Sequence, residues 1–361
     1  MKRTSLILVL VVLVALFAAS GCATTVSVRH LIPAETDMSA YRNLAVASTE
    51  PFSFGFFNRP SSIVPDYSGK SGLTVASGFG TFTELSIARY ATTRLVQSLD
   101  RADYFTLLPP SQTDTIMKGK NLGFTISEML MRNGVEALFT SSIDYLDVDE
   151  YIYAVEKNLL ISKDPVTGNP INPPVSQKVI VYYLMQKVSL TYSYEIVDAR
   201  TGKVIVSRTL HDSQERSFDL TGKPAKGYVA PSLEPMIEEM LQDLIDPVVQ
   251  QIAPRWETTT LSLMKNEPER KNVEFAWEEV RRGNLAIALE AFKKEWNRSG
   301  HIPSGYNAAL IMEAMGNLEQ AIDLMEDVYQ ESGNNSIYSM LRRMRQRLQD
   351  QAEAEAQLLG Q

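Results

Sequence analysis

Val188-Ser189-Leu190-Thr191-Tyr192-Ser193-Tyr194-Glu195-Ile196 alternates large apolar residues with small or polar ones. Successive side chains of an extended chain point to opposite faces of a sheet, so this two-residue period marks a strand with one buried face. Asp198-Ala199-Arg200-Thr201-Gly202 then reads as a turn, and Lys203 to Leu210 returns as the partner strand. An antiparallel hairpin therefore sits inside the first domain and sets its class.

Working outward, Arg42–Thr49 (RNLAVAST), Tyr104–Leu108 and Glu136–Tyr145 read as further strands. Phe82–Leu99 places Leu85, Ala88, Leu95 and Leu99 at helical spacing. Two short helices are expected at Thr113–Met117 and Ile126–Arg132, the second ended by Asn133-Gly134. Residues 50–81, 163–176 and 211–230 read as loops. Leu233–Ile252 carries Ile237, Met240, Leu241, Leu244 and Val248 on one stripe of a long helix. The expectation is an α+β domain over 41–256, a small mixed sheet with helices packed on one side. A tether spans 22–40.

From about residue 268 the pattern changes. Gly283, Leu285, Ala288 and Phe292 recur as Gly316, Leu318, Ala321 and Met325, an offset of 33 residues. Glycine at a turn and alanine where helices touch suit paired antiparallel helices. The segment 268–350 resembles tetratricopeptide repeats, whose unit is a helix pair of about 34 residues. Ala276 and Ala309 stand where that consensus has glycine. An all-α repeat domain is expected to follow the α+β domain, with a polar tail at 351–361.

The N-terminus has Lys2 and Arg3, then an apolar run from Leu6 to Ala19. Fourteen helical residues rise about 21 Å, short of a bilayer core of about 30 Å. A basic start, a short apolar core and small residues describe a signal peptide, here 1–21. Ala19-Ser20-Gly21-Cys22 resembles the lipobox of bacterial lipoproteins, with Ala19 in place of the usual leucine. That resemblance implies cleavage after Gly21 and acylation of Cys22. Ala23 after the cysteine is compatible, in that family, with export to the outer membrane, facing the periplasm or the surface.

Three further segments carry a second likeness: Ile32-Pro33-Ala34-Glu35 with Arg42-Asn43-Leu44-Ala45-Val46, then Gly134-Val135-Glu136-Ala137-Leu138, then the turn at 198–202. Together they are similar to bacterial envelope lipoproteins of the curli secretion-channel (CsgG-like) type and to the TolB N-terminal domain. Members of that loose group include secretion pores, activators of cell-wall synthases and lipoproteins without an assigned activity. Fold alone does not deliver function.

The chain has 361 residues, 22% of them charged, and a formal net charge of −8. Loss of Lys2 and Arg3 makes the mature chain more acidic still. That argues against nucleic-acid binding, which needs clustered cations. One cysteine excludes an internal disulfide and any multi-cysteine metal site. His30, His211 and His301 show no metal-binding spacing and read as surface residues. Gly69-Lys70-Ser71 lacks the first glycine of a phosphate loop, since position 64 is Val64. Gly78-Phe79-Gly80 lacks the third glycine of a dinucleotide fingerprint. Asp144, Asp147, Asp149 and Glu150 read as solvated charges after a strand, and Arg342, Arg343, Arg345 and Arg347 as an exposed helix face. No catalytic residue, metal site or cofactor is assigned.

The expected function is that of a lipid-anchored envelope scaffold whose repeats, residues 270–350, dock a protein partner. The alternatives are a subunit of an oligomeric curli-type channel, with Tyr151–Ile161 and Val179–Ile196 as candidate membrane strands, and, last, an enzyme. Homo-oligomerisation is left open.

Overall fold

The computed structural model describes residues 24–52, 63–64, 75–76, 83–119, 124–163, 170–221, 223 and 228–360. The segment 1–21 expected to be a signal peptide, Cys22, and the glycine motifs at 69–71 and 78–80 lie outside those residues. The chain divides into two compact units. One is Ala34–Ala253; the other joins the N-terminal residues up to Pro33 to those from Pro254 onward.

In chain order the strands are β1 (Thr25–Ile32), β2 (Asn43–Val46), β3 (Ile63–Val64), β4 (Val75–Ala76), β5 (Thr106–Leu108), β6 (Ala137–Lys163), β7 (Pro170–Asp198), β8 (Val204–Asp219), β9 (Tyr228–Val229) and β10 (Arg255–Ser262). The helices are α1 (Glu84–Ala102), α2 (Pro110–Lys118), α3 (Ile126–Arg132), α4 (Glu234–Ile252), α5 (Glu274–Arg281), α6 (Leu285–Ser299), α7 (Ile302–Ala314), α8 (Leu318–Ser332) and α9 (Asn335–Leu359).

The Ala34–Ala253 unit is α+β. Its mixed sheet has the order β5-β2-β6-β7-β8, with β2 parallel to both neighbours and β6-β7-β8 antiparallel. Alternation decides what each side chain meets. Leu44, Val46, Phe139, Tyr192, Tyr194 and Ile196 join one large core with Ile87, Leu95 and Leu99 of α1 and Ile237, Leu241 and Val248 of α4. The intervening Ala45 and Leu138 pack with Leu130 and Val135 in a smaller cluster that takes in Ile116 and Met117 of α2. The two long helices thus lie on one face, and the short α2 and α3 serve the other at the parallel end. Thr83 caps α1 and Thr125 caps α3, each with a reciprocal capping box that satisfies the first free N–H groups.

Two elements run further than the sequence pattern predicts. β6 continues through Asp144–Glu150 to Lys163, and β7 begins at Pro170. The acidic residues therefore sit within a strand, not after one. Asp144, at a register shift, accepts hydrogen bonds from Ser142 and Ser193, and Glu150 accepts one from Gln186 at 2.7 Å. β8 likewise extends through the expected loop to Asp219, because β7 offers it paired backbone as far as Tyr183.

The second unit is built from both ends of the chain. β1 pairs antiparallel with β10, from Thr25 opposite Ser262 to Ile32 opposite Arg255. The expected tether at 22–40 thus contains a strand. Its Val26 and Val28, with Leu261 and Leu263, enter the core of the helical region beside Ala276, Ile311 and Met344. α5–α6 and α7–α8 are helix pairs, and α9 follows. Gly283 and Gly316 turn within the pairs, at φ of +81° and +85°. Any side chain there would meet open space but would be strained by the left-handed backbone. α7 is buried along nearly its whole length, from Pro303 to Glu313. The polar tail expected at 351–361 is instead helical to Leu359, with Ala354 and Gln357 buried.

Candidate functional site

Asn307 lies in the middle of buried α7 and hydrogen-bonds main chain rather than another side chain. Its Oδ1 accepts from Met264 N at 2.7 Å, and its Nδ2 donates to Met264 O at 3.0 Å. Trp277 of α5 donates from Nε1 to the same carbonyl at 2.9 Å. One residue earlier, Leu263 N donates to Thr24 O at 2.8 Å, and Arg281 of α5 donates to Thr24 Oγ1 at 3.1 Å. Seating apolar side chains in a hydrophobic groove while satisfying the main chain is a general way of holding a peptide segment. Here the extended chain is the protein's own. β1, β10 and the segment through Met264 lie against α5, α7 and α9.

Three ionisable groups sit under this strand. Arg347 of α9 pairs with Glu313 of α7, and both side chains are almost fully buried, at 6% and 2% exposure. Arg347 is thus not part of an exposed basic face. The second Glu313 oxygen, Oε2, and Nδ1 of His30 on β1 are buried without a hydrogen-bond partner among the described residues. Burial holds the His30 pKa below its usual value, and the positive Arg347 lowers it further; Glu257 and Glu313 oppose.

His301 is also buried, at the start of α7. Its Nε2 lies 3.0 Å from Pro268 O, and its Nδ1 lies 2.7 Å from Ser304 Oγ. A carbonyl can only accept, so Nε2 carries the proton and Nδ1 accepts from the serine. Burial keeps this ring neutral by lowering its pKa. Of the three histidines only His211, on β8, is exposed.

In the Ala34–Ala253 unit an open cleft of about 780 Å³ lies at the carboxyl end of β2. This is where the chain passes from the β5 side of β2 to the β6 side, the usual ligand position of open α/β sheets. Glu50, Arg89, Asp114 and Lys118 line it with Thr92 and Ser141. Several of its polar groups serve its own walls. Ser48 N donates to Asp114 Oδ1 at 2.9 Å, Thr49 N to Thr92 Oγ1 at 2.9 Å, and Thr49 and Ser141 share a hydroxyl bond at 2.9 Å. We assign no ligand to this cleft.

The repeat residues come together. Ala288, Phe292, Ala321 and Met325 are buried in one core, with Leu285 and Leu318 packed against it. Gly305 carried no periodic signal. A Cβ there would meet Val328 Cγ2 at 2.5 Å and the Trp296 ring at 2.8 Å, so it fixes the approach of α7 to both α6 and α8. Asn307 was equally hidden, because a polar residue inside an apolar helix shows its role only once its main-chain partner is known. Among the described residues no group of three or more His, Cys, Asp and Glu is placed to hold a metal ion. No helix among them is long and apolar enough to cross a membrane.

No protein-family profile matches the chain. No curated protein matches it either. Solved structures with some likeness include a PelC dodecamer from Paraburkholderia phytofirmans, at 10% identity and a TM-score of 0.25 over 63% of this chain and 98% of that one. A neuraminyllactose-binding hemagglutinin homolog from Helicobacter pylori is 7% identical, with a TM-score of 0.30 over 59% and 86%. The hypothetical protein CT253 from Chlamydia trachomatis is 10% identical, with a TM-score of 0.26 over 58% and 96%. Backbones that superpose this loosely carry no argument about function.

Proposed function

We propose that this chain is a lipid-anchored bacterial cell-envelope protein that works as a non-catalytic binding scaffold. One observation carries the reading. The first described residue, Thr24, stands two positions after the lipobox-like Cys22 and is already bonded into the helical unit. A chain read as acylated at Cys22 thereby has a folded module set directly on its anchor. The tetratricopeptide-like pairing of α5–α6 and α7–α8 supports partner docking as the task of that module. Because β1 and β10 fill the α5–α7–α9 face, docking is assigned to exposed positions at the C-terminal end of α7 and on α9, such as Met315, Tyr338 and Arg342. An outer-membrane address follows the residue after Cys22.

Two measurements test this. Cys22→Ser is expected to move the protein from the membrane to the soluble fraction, and the wild type is expected to carry acyl mass on Cys22. Photo-crosslinkers at Met315, Tyr338 and Arg342 in living cells are expected to capture one defined partner. Capture from none of the three sinks the docking surface. Deleting residues 270–361 is the wrong test, because it strips Val26, Val28 and Leu261 of their cover.

A second reading, a subunit of a curli-type channel, draws on β6 and β7. Their distal halves pair continuously from Tyr153–Tyr183 to Ile161–Val175 as one hairpin. Tyr153, Val155, Lys157, Val179 and Val181 fall on one face and Glu156, Asn158, Leu160, Lys178 and Ile180 on the other, so each face mixes charged and apolar residues, as a lumen-facing and a lipid-facing side would not. That reading requires a ring of fixed subunit number in detergent by electron microscopy.

A further inference from the structure

We infer that the α5–α6 helix pair rests on the membrane, presenting Phe275, Ile287, Lys293 and Lys294 to an anionic lipid surface. The inference rests on the proposed acylation of Cys22 and goes beyond it by assigning the face that meets the bilayer.

The first argument is reach. Consecutive Cα atoms lie 3.8 Å apart, so Cys22 can be no more than about 8 Å from Thr24. Thr24 is buried and is bonded by Arg281, the last residue of α5, and by Leu263. An acyl chain on Cys22 therefore brings the end of α5 to the level of the headgroups. A flexible tether of 22–40 would have allowed any face to approach; a single intervening residue does not.

α5 is the first helix of the stack, and its outer side with α6 leaves apolar surface uncovered. Phe275 is 49% exposed and Ile287 is 54% exposed. They line one shallow depression with Ala291, Glu290, Lys293, Lys294 and Arg298. Arg298 is held by Glu295 at 2.7 Å. Two lysines and one acid remain beside two large apolar side chains. That is the composition of a surface seated at a bilayer interface, where apolar groups enter the acyl boundary and lysines extend to phosphates. The chain as a whole is acidic, so a basic-apolar patch on the helix pair whose Arg281 bonds Thr24 is a local departure from its average. A protein partner is the competing occupant, and it would leave dyes at 275 and 287 no more quenched by headgroup nitroxide than one at 342.

The test uses the full chain with its native anchor, in vesicles of phosphatidylcholine with phosphatidylglycerol. Ile287→Cys, Phe275→Cys and the control Arg342→Cys on α9 are labelled with an environment-sensitive dye. An acylated Cys22 leaves each introduced thiol as the one reactive sulfur. Nitroxide-headgroup lipid is expected to quench the dye at 275 and 287 several-fold more than at 342. The double variant Lys293→Glu with Lys294→Glu is expected to reduce that quenching at least twofold. Mass analysis of Cys22 separates the two ways to fail. An unacylated Cys22 overturns the anchor and the inference together. An acylated protein quenched no more at 287 than at 342 overturns the docking face and leaves the anchor standing. Quenching unchanged by the double charge reversal overturns the anionic-lipid assignment.

Discussion

Each unit contains a carboxylate paired with an arginine between packed helices, and the two pairs differ in what surrounds them. In the α+β unit, Asp246 of α4 receives Arg94 Nε at 2.9 Å and Ser98 Oγ at 2.7 Å, both from α1. The pair remains partly open, with side-chain exposures of 15% and 30%. Partial burial pushes the Asp246 pKa up, but the hydrogen bonds from Arg94 and Ser98 and the guanidinium charge hold it below its usual value. In the helical unit, Glu313 and Arg347 are sealed from solvent and one carboxylate oxygen has no partner among the described residues. Water can answer for a missing partner in the first site and cannot reach the second. Similar chemistry is thus forgiving in one place and exacting in the other.

The largest expected effect follows from that contrast. Arg347→Met leaves a buried carboxylate uncompensated, which costs about 3–5 kcal/mol. Chemical unfolding of the full chain is expected to show that loss, while Arg347→Met combined with Glu313→Leu recovers most of it. A single variant as stable as wild type would mean that the pair is hydrated. Asn307→Ala comes next. It leaves the Met264 N–H without its acceptor and weakens the hold on the strand segment, at a cost of about 1–3 kcal/mol for an unsatisfied buried group. Hydrogen exchange is expected to accelerate in β10 and at Met264 and to stay unchanged in β7. Equal protection of β10 in Asn307→Ala and wild type would show that Asn307 holds nothing.

The two regions also differ in how plainly they could be read. The α+β unit announced itself through local pattern. The alternation at 188–196 and the stripe of 233–252 both depend on neighbours in sequence, and both elements formed where the pattern placed them. The continuation of β6 past Tyr145 was not visible, because a run with four acids looks like a strand end until its partner strand is known. β1 was hidden for a different reason. Thr25–Ile32 alternates well enough for a strand, but its partner lies more than 220 residues away and no local signal connects them. The turn glycines and the core alanines of the repeats were legible because a 33-residue offset repeats them. Gly305, Asn307 and the Glu313–Arg347 pair occur once each, and a single occurrence gives periodicity nothing to detect.

Asp246→Asn sharpens the comparison from its mild side. It keeps the shape and removes the charge from a site that water still reaches, so the expected loss is about 1 kcal/mol, below that of a fully buried hydrogen bond to a charged group and at the upper end for a solvent-screened ion pair. The sign of its pH dependence is fixed by the depressed carboxylate. The folded state holds this proton less tightly than the unfolded chain, so the stabilisation is present above the unfolded pKa and is lost as pH falls through the folded one. In wild type that loss belongs to strongly acidic solution, and the Asn variant is expected to lack it.

The smallest effect is expected from His301, and it separates the units by pH. The ring is neutral in the fold because burial opposes its charge and Nδ1 is engaged as an acceptor from Ser304. A lowered histidine pKa means that the unfolded chain takes up its proton first on acidification. Stability is therefore complete above the unfolded value, about 6.5, and declines as pH falls toward the folded value. His30 adds to the decline with the same sign. The window lies above the one in which Asp246 acts, so mild acid should loosen the helical unit while the α1–α4 contact is intact. Hydrogen exchange at pH 7 and in mildly acidic buffer is expected to show faster exchange in α7 and β1 and little change in α1. His301→Gln removes the titrating group and keeps one donor and one acceptor, so it is expected to flatten the part of that response in α7. A response in α7 that survives both His301→Gln and His30→Gln would show that neither histidine carries the acid sensitivity.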